Sequence, residues 1–208
     1  MSKAANKEEE SQNIEKESGM SKRTQITLQI SGSAIFAALS ITLAPLTSFI
    51  PRFGAGMAYF DPISIIWISA FLIFGPWAGI FCSIIGTVLL FPFDPFAPIG
   101  PLMKFVSTVI LILVYTIGLR LYREDGTSKK LKKIKNFLIW GIIATIAREI
   151  IMILLNIPAY IAITGGTHGL GFWLIGIAVT NPIQSLADLA IPYLLVYTTK
   201  LDEKFELW

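Results

Sequence analysis

The chain has 208 residues, of which 54% are hydrophobic and 15% are charged, and its mean hydropathy is +0.66. This composition is typical of a polytopic membrane protein, and it excludes a separate soluble ATPase, receptor or catalytic domain within the same chain. The net charge of +3 does not indicate nucleic-acid binding, because the basic residues cluster beside apolar stretches, as positive-inside topology requires.

The first 23 residues are polar and rich in Glu and Lys, and no apolar core followed by a small-residue cleavage site is present there. This pattern favours a disordered cytoplasmic tail over a signal peptide. We therefore expect a tail over 1–23, a six-helix transmembrane domain over 24–200 and a cytoplasmic tail over 201–208. The only cysteine, Cys82, lies in an apolar stretch, which excludes a disulfide or a cysteine-based metal site within one chain.

Apolar runs cut by Pro, Gly and charge clusters predict an all-α bundle of six transmembrane helices. The predicted spans are roughly 26–44, 60–74, 77–91, 101–119, 137–158 and 172–197. The second and third are short for full crossings, and only Gly75 and Pro76 separate them. The bilayer would have to thin around two such helices, or they would have to cross with little tilt.

Basic residues before the first span, around the fourth-to-fifth connection and after the last span set the orientation. They are Lys22, Arg23, Arg120, Arg123, Lys129, Lys130, Lys132, Lys133, Lys135, Lys200 and Lys204. Six spans place all three clusters on one side, so both termini are predicted to be cytoplasmic in a multi-pass protein of the cell membrane. Topology alone accounts for these charges, and binding of lipid headgroups or a partner would be an additional role.

Three connections rich in turn residues then lie on the outer side: 45–59, 92–100 and 158–171. They are too apolar for ordinary solvated loops, and we expect them to form lids over a pocket that opens outward. The alternative is that they rest in the membrane interface. The expected lid residues are Arg52, Phe53 and Tyr59 in the first connection, and the third carries the only histidine, His168.

Polar residues recur at helical spacing in each of the last three spans. The stripes are Lys104, Thr108, Leu111 and Tyr115; Thr145, Glu149, Met152 and Asn156; and Asn181, Gln184 and Asp188. Arg148 lies beside the second stripe, near the middle of the apolar stretch 137–160. A charge at that depth costs at least about 2.5 kcal/mol, so it normally faces a bundle interior or a wet cavity and has a partner.

These stripes predict a solute pocket that opens outward and has charges at its floor. The candidate substrate-binding residues are Lys104, Thr108, Arg148, Glu149, Met152, Asn156, Asn181, Gln184 and Asp188. The alternative is a purely structural ion pair, in which Arg148 holds Glu149 or Asp188 and closes the bundle. In the first span, the pairs Ser33/Ala37 and Ala34/Ala38 form small-residue faces that allow close helix packing.

This arrangement resembles the substrate-binding S component of an energy-coupling factor (ECF) vitamin transporter. The resemblance covers roughly residues 24–200 and rests on the order and spacing of several features rather than on one motif. These are the size, six spans with both ends inside, Ala34-x-x-x-Ala38, Gly75-Pro76-x-x-Gly79 and Gly100-Pro101-Leu102-Met103-Lys104.

The resemblance implies high-affinity capture of a vitamin or related small solute at the outer face, beneath a lid formed by the first outer connection. It also implies that Ala34 and Ala38 dock on a transmembrane T component driven by two cytoplasmic ATPases, and that the S component topples in the membrane to release its cargo inward. The chain has no Walker motif, in keeping with a subunit that takes its energy from partners. The deep charges exceed what a neutral vitamin needs, which indicates a charged or zwitterionic ligand whose carboxylate or phosphate pairs with Lys104 or Arg148.

Two other classes of function stay open. A stand-alone ion- or proton-coupled carrier would use Arg148, Glu149 and Asp188 as a relay, although 24–119 and 137–200 show no internal repeat. An intramembrane enzyme would use the two carboxylates as acid and base, with help from His168. No nucleophile motif and no cluster with metal-ligand spacing accompanies them, so we expect no catalytic residue, no metal and no cofactor.

Overall fold

The computed structural model describes residues 21–50, 52–53, 57–121, 130–166 and 169–205. Within these residues the chain forms six long helices: α1 (Lys22–Thr42), α2 (Pro62–Phe74), α3 (Pro76–Leu90), α4 (Ile99–Leu121), α5 (Ile134–Thr164) and α6 (Leu170–Thr198). A short helix, α7 (Leu201–Phe205), follows α6. Between α1 and α2 lie a 3₁₀ helix (Ala44–Phe49) and an antiparallel hairpin of β1 (Arg52–Phe53) and β2 (Met57–Ala58).

The long helices lie where the apolar runs predicted them, so the all-helical prediction is confirmed apart from the small hairpin. The clearest difference is in α5, which continues past Pro158 to Thr164, whereas the predicted span stopped at 158. A proline inside a membrane helix is tolerated when neighbouring groups satisfy the freed carbonyl. The helix instead ends at Gly165, whose φ of 72° lies in the left-handed region that glycine adopts without a steric penalty.

Among the described helices, α1, α4, α5 and α6 are long and apolar enough to cross a membrane, so the chain has a multi-pass membrane fold. With 13 and 15 residues, α2 and α3 reach only about 20 and 22 Å, against a hydrocarbon core of about 30 Å. Since α2 contacts α1, α3, α4 and α6, it is enclosed by protein and does not have to match the bilayer thickness. Six crossings and cytoplasmic termini stay predictions.

The core is centred on α2, in which every residue from Ile63 to Phe74 is buried except Ile66. A helix that is apolar on all sides is stable only when other helices surround it, as they do here. Trp67 is fully buried, and its Nε1 donates a hydrogen bond to the Ser40 hydroxyl of α1 at 3.0 Å. Gly86 of α3 makes room for the indole, because a Cβ there would lie 2.5 Å from Nε1.

The helices alternate in direction, which gives the bundle two chemically different ends. At the pocket end, α1, α3 and α5 end while α2, α4 and α6 begin, and the hairpin places β2 against α6. At the opposite, basic end, Lys132 pairs with Asp202 and Glu203 of α7, and the Phe205 ring packs 5.1 Å from that of Phe74. The first part of the expected tail at 201–208 is therefore a packed helix.

Candidate functional site

A cavity of about 550 Å³ lies at the pocket end, a size that suits a small organic molecule. Its wall is built from β2, the first turn of α2, the α3–α4 connection, and α4, α5 and α6. The polar lining residues are Thr47, Asp61, Asp94, Lys104, Ser107, Arg148, Asn156, Thr180, Asn181 and Gln184. The aromatic lining residues are Phe60, Phe93, Phe96 and Trp173.

One charged wall of the cavity is the ion pair between Lys104 of α4 and Asp61. The Lys104 Nζ lies 2.8 Å from Asp61 Oδ2, and the carboxylate is almost completely buried. Asp61 is also the N-cap of α2, since its Oδ1 accepts from the Ile63 backbone N–H at 3.1 Å and its Oδ2 from the Ser64 hydroxyl at 2.7 Å. These bonds hold the carboxylate at the helix start, and the carboxylate in turn positions the lysine.

The floor of the cavity is formed by Arg148 at the middle of α5. Its Nη1 donates to Asp188 Oδ2 at 2.8 Å, and its Nη2 donates to Gln184 Oε1 at 2.8 Å. Arg148 is 1% exposed and Asp188 is fully buried, so the pair is excluded from the membrane and from bulk water. Asp188 and Gln184 are four residues apart, which places both acceptors on one face of α6.

The upper part of the wall offers uncharged hydrogen-bonding groups beside an indole ring. Asn156 Nδ2 donates to the Met152 carbonyl at 2.8 Å, and Trp173 Nε1 donates to Asn156 Oδ1 at 3.4 Å. Asn181 is 8% exposed, and its Nδ2 has no hydrogen-bond partner among the described residues. A buried donor without a partner is costly, so Asn181 is suited to bind an acceptor that enters the cavity.

The structure brings most of the predicted site residues together. Six of the nine line the cavity: Lys104, Arg148, Met152, Asn156, Asn181 and Gln184. Thr108, Glu149 and Asp188 do not line it. Asp188 lies behind Arg148 as its partner, and Thr108 is fully buried one turn further along α4 than Lys104.

Glu149 is the prediction that the geometry changes most. Successive helix residues point about 100° apart, so Glu149 and Arg148 face different directions. The alternative interpretation, a purely structural ion pair, gave Arg148 either Glu149 or Asp188 as its partner. In the structure the partner is Asp188. Both carboxylate oxygens of Glu149 are buried and have no hydrogen-bond partner within the described part of the chain.

The expected lid is described only in part. Arg52 and Phe53 form β1, in register with Ala58 and Met57, but their side chains lie outside what the structure describes. Tyr59 is half-buried and does not line the cavity, whereas its neighbours Ala58 and Phe60 do. His168 also lies outside the described residues.

Asp61 is a charged residue of the cavity that was not among the predicted site residues. Its signal was present, since an Asp directly before a Pro that opens an apolar run is typical of a helix N-cap. The signal marks the start of α2 and does not reveal that the carboxylate faces a lysine more than 40 residues away. Asp94, which lies within the outer connection 92–100, also lines the cavity.

The two small-residue faces of α1 have different surroundings. Ser33 and Ala37 are buried in the bundle, whereas Ala34 and Ala38 are exposed on its outer surface.

Among the described residues, no group of three or more His, Cys, Asp or Glu side chains lies close enough together to hold a metal ion.

No protein-family model matches the sequence, and no curated protein matches it. A solved structure described as "Structure and mechanism of the S component of a bacterial ECF transporter" matches with a TM-score of 0.63. The two sequences are 20% identical, and the match covers 86% of this chain and 98% of that one. The chain therefore has the fold of an ECF transporter S component, as its sequence features implied.

Proposed function

We propose that the chain is the substrate-binding S component of an ECF-type ABC importer, and that it binds a vitamin or related small solute in the cavity. The observation that carries this proposal is the cavity itself, which combines a paired charged floor, a buried free donor and aromatic walls at one end of a membrane bundle. The likeness to an S component along 98% of that chain supports it. The proposal gives the chain no catalytic role.

The pocket end faces the exterior in this proposal. The opposite end carries the basic residues that precede α1, follow α4, open α5 and follow α6: Lys22, Arg23, Arg120, Lys130, Lys132, Lys133, Lys135, Lys200 and Lys204. Such clusters stay in the cytoplasm during insertion. Solute then enters from outside, beneath the β1–β2 hairpin, and leaves inward once partner subunits supply the energy.

The ligand class follows from the charge balance of the wall. Lys104 and Arg148 are both paired with carboxylates of the chain itself, and Asp94 adds a negative charge to the lining. An anionic ligand would have to displace a buried carboxylate, which leaves a charge without compensation. We therefore infer that the solute is uncharged or zwitterionic, with a ring against the aromatic walls and an acceptor at Asn181. This replaces the expectation of a ligand carboxylate or phosphate bound by Lys104 or Arg148.

Ligand binding tests the proposal directly. The full chain, purified in detergent, is analysed by native mass spectrometry for a co-purified small molecule and by thermal shift against a panel of water-soluble vitamins. We expect Asn181→Ala to weaken binding about 10-fold, the value of one hydrogen bond. Ile175→Ala is the control, since that α6 side chain is 62% exposed on the outer surface. If alanine at Lys104, Asn156, Asn181 and Gln184 together leaves binding unchanged, the cavity is not the site.

The partner-docking role rests on the exposed Ala34/Ala38 face of α1. Ala38→Leu is expected to leave the melting temperature and ligand binding unchanged while it abolishes co-purification with a T component and its two ATPases. Ile175→Phe, at a 62% exposed position of α6, is the control that should retain the partners. Ala37→Leu instead should lower the melting temperature, because Ala37 is fully buried. Retention of the partners by Ala38→Leu would remove this face from the proposal.

A stand-alone ion- or proton-coupled carrier is the second candidate. The ion pairs Lys104–Asp61 and Arg148–Asp188 place titratable and charged groups within the bundle, where a carrier would need them. Proteoliposomes that contain only this chain, an ion gradient and no ATP distinguish the two. We expect no uptake, under these conditions, of the solute that the binding experiment identifies. Uptake that depends on the gradient would favour the carrier and contradict the S-component proposal.

A further inference from the structure

A second cavity, of about 420 Å³, is a groove between α5 and α6 on the outer surface of the bundle. Its walls include Leu138 and Ile142 of α5 and Leu186 and Leu194 of α6, which are 53%, 62%, 70% and 60% exposed. Its floor includes Gly141 and Tyr115, and the Tyr115 hydroxyl occupies the space that a side chain at position 141 would need. In a membrane, these apolar walls face lipid, and no water has to be displaced to fill the space between them.

The length and position of this α5–α6 groove match one leaflet. Its lining runs from residue 134 to 146 on α5 and from 182 to 194 on α6. Twelve helical residues rise about 18 Å, and half of the hydrocarbon core is about 15 Å thick. Ile134 is the first residue of α5, so the groove begins at the basic end and extends to about the middle of the bilayer.

The mouth of the groove is positively charged. Lys133 and Lys135 flank Ile134, are exposed, and form no ion pair with any described residue, whereas Lys132 is bound by Asp202 and Glu203. The N-terminus of α5 adds to this field, because no side chain caps it and its first turn contains no acidic residue. Basic residues beside a groove between membrane helices are suited to an anionic lipid headgroup.

We propose that the α5–α6 groove binds one acyl chain of an anionic glycerophospholipid, whose phosphate lies between Lys133 and Lys135. A chain from the adjacent leaflet has the right length and enters at the charged mouth without crossing a polar barrier. An apolar helix of a partner protein would cover the same walls and leave both lysines without a counter-charge. The site is independent of the solute cavity, which lies at the other end of the bundle.

The test compares two lipids that share their acyl chains and phosphodiester but differ in the headgroup alcohol, glycerol or choline, and therefore in net charge. The full chain, purified and delipidated in detergent, is titrated with dioleoyl phosphatidylglycerol and dioleoyl phosphatidylcholine, and bound lipid is counted by native mass spectrometry. We expect a one-to-one complex with phosphatidylglycerol and at least about a 10-fold weaker one with phosphatidylcholine. Lys133→Gln/Lys135→Gln should reduce phosphatidylglycerol binding about 30-fold, about fivefold per lysine. It should reduce phosphatidylcholine binding by less, because the choline ammonium of that lipid already balances its phosphate.

Two controls separate this site from general attraction. Lys22→Gln/Arg23→Gln removes two exposed charges at the same end of the bundle and should have no effect. Ala190→Phe fills the groove and should weaken both lipids, whereas Val179→Phe, at a 50% exposed position of α6 outside the groove, should not. Equal binding of the two lipids overturns the proposal. So does an equal loss of phosphatidylglycerol binding in Lys133→Gln/Lys135→Gln and in Lys22→Gln/Arg23→Gln. A crosslink from Leu138→Cys to a partner protein would show that a protein covers the groove. If the chain then also showed no preference between the two lipids, the proposal would be overturned.

Discussion

Replacing Asp188 by Asn tests how the bundle holds a guanidinium within the membrane. Arg148 is 1% exposed, Asp188 is fully buried, and the Nη1–Oδ2 distance is 2.8 Å. Removing one partner of such a pair typically costs about 3–5 kcal/mol, because the remaining charge stays buried without compensation. The hydrogen bond from Arg148 to Gln184 Oε1 survives, but a neutral acceptor does not replace the lost charge. For a chain of this size, the melting temperature should fall by roughly 6–20 °C.

The assay is thermal unfolding in detergent, followed by intrinsic fluorescence, for Asp188→Asn, Arg148→Met and the double variant. Removing both charges should recover most of the loss, because an apolar replacement of a buried pair is often neutral. Asp94→Asn is the matched control: this carboxylate lines the same cavity but is partly exposed, so we expect a change below about 1 kcal/mol. An unchanged melting temperature for Asp188→Asn, or purely additive losses in the double variant, would refute the reasoning.

Two further predictions concern packing and pH. Gly86→Ala should destabilise the bundle by about 1–3 kcal/mol in denaturant unfolding, because its Cβ would collide with Trp67, whereas Gly171→Ala, with nothing within 4 Å, should be neutral. Equal effects of the two alanines would contradict the close approach of α3 to α2. At the basic end, the hydrogen bond from Lys132 holds the pKa of Glu203 below its usual value of 4.5. The contribution of this ion pair to the stability of the fold is therefore present at neutral pH and is lost as the pH falls through the lowered pKa of Glu203. The melting-temperature difference between the wild type and Glu203→Gln should narrow below pH 4.5, and a difference that widens there would contradict this ion pair.

The candidate site shows where pattern reasoning succeeds and where it stops. Helical spacing placed Asn181 and Gln184 on one face of α6, and both line the cavity. The same spacing placed Glu149 on a stripe with Met152 and Asn156, yet Met152 and Asn156 line the cavity and Glu149 does not. Periodicity gives the angle of a side chain around its own helix. It does not give the rotation of that helix against its neighbours, which decides which part of a broad polar stripe faces the cavity.

The amino-acid order alone settles where the long helices run, because the polar backbone of an apolar segment in lipid must satisfy its hydrogen bonds within the helix. It also requires a partner for Arg148, since an isolated charge is not stable at that depth. Only the packed bundle decides that this partner is Asp188, 40 residues away, and that Lys104 is held by Asp61. Those pairings depend on how distant helices dock, and docking is governed by close approaches such as Gly86 against Trp67, which no local pattern specifies.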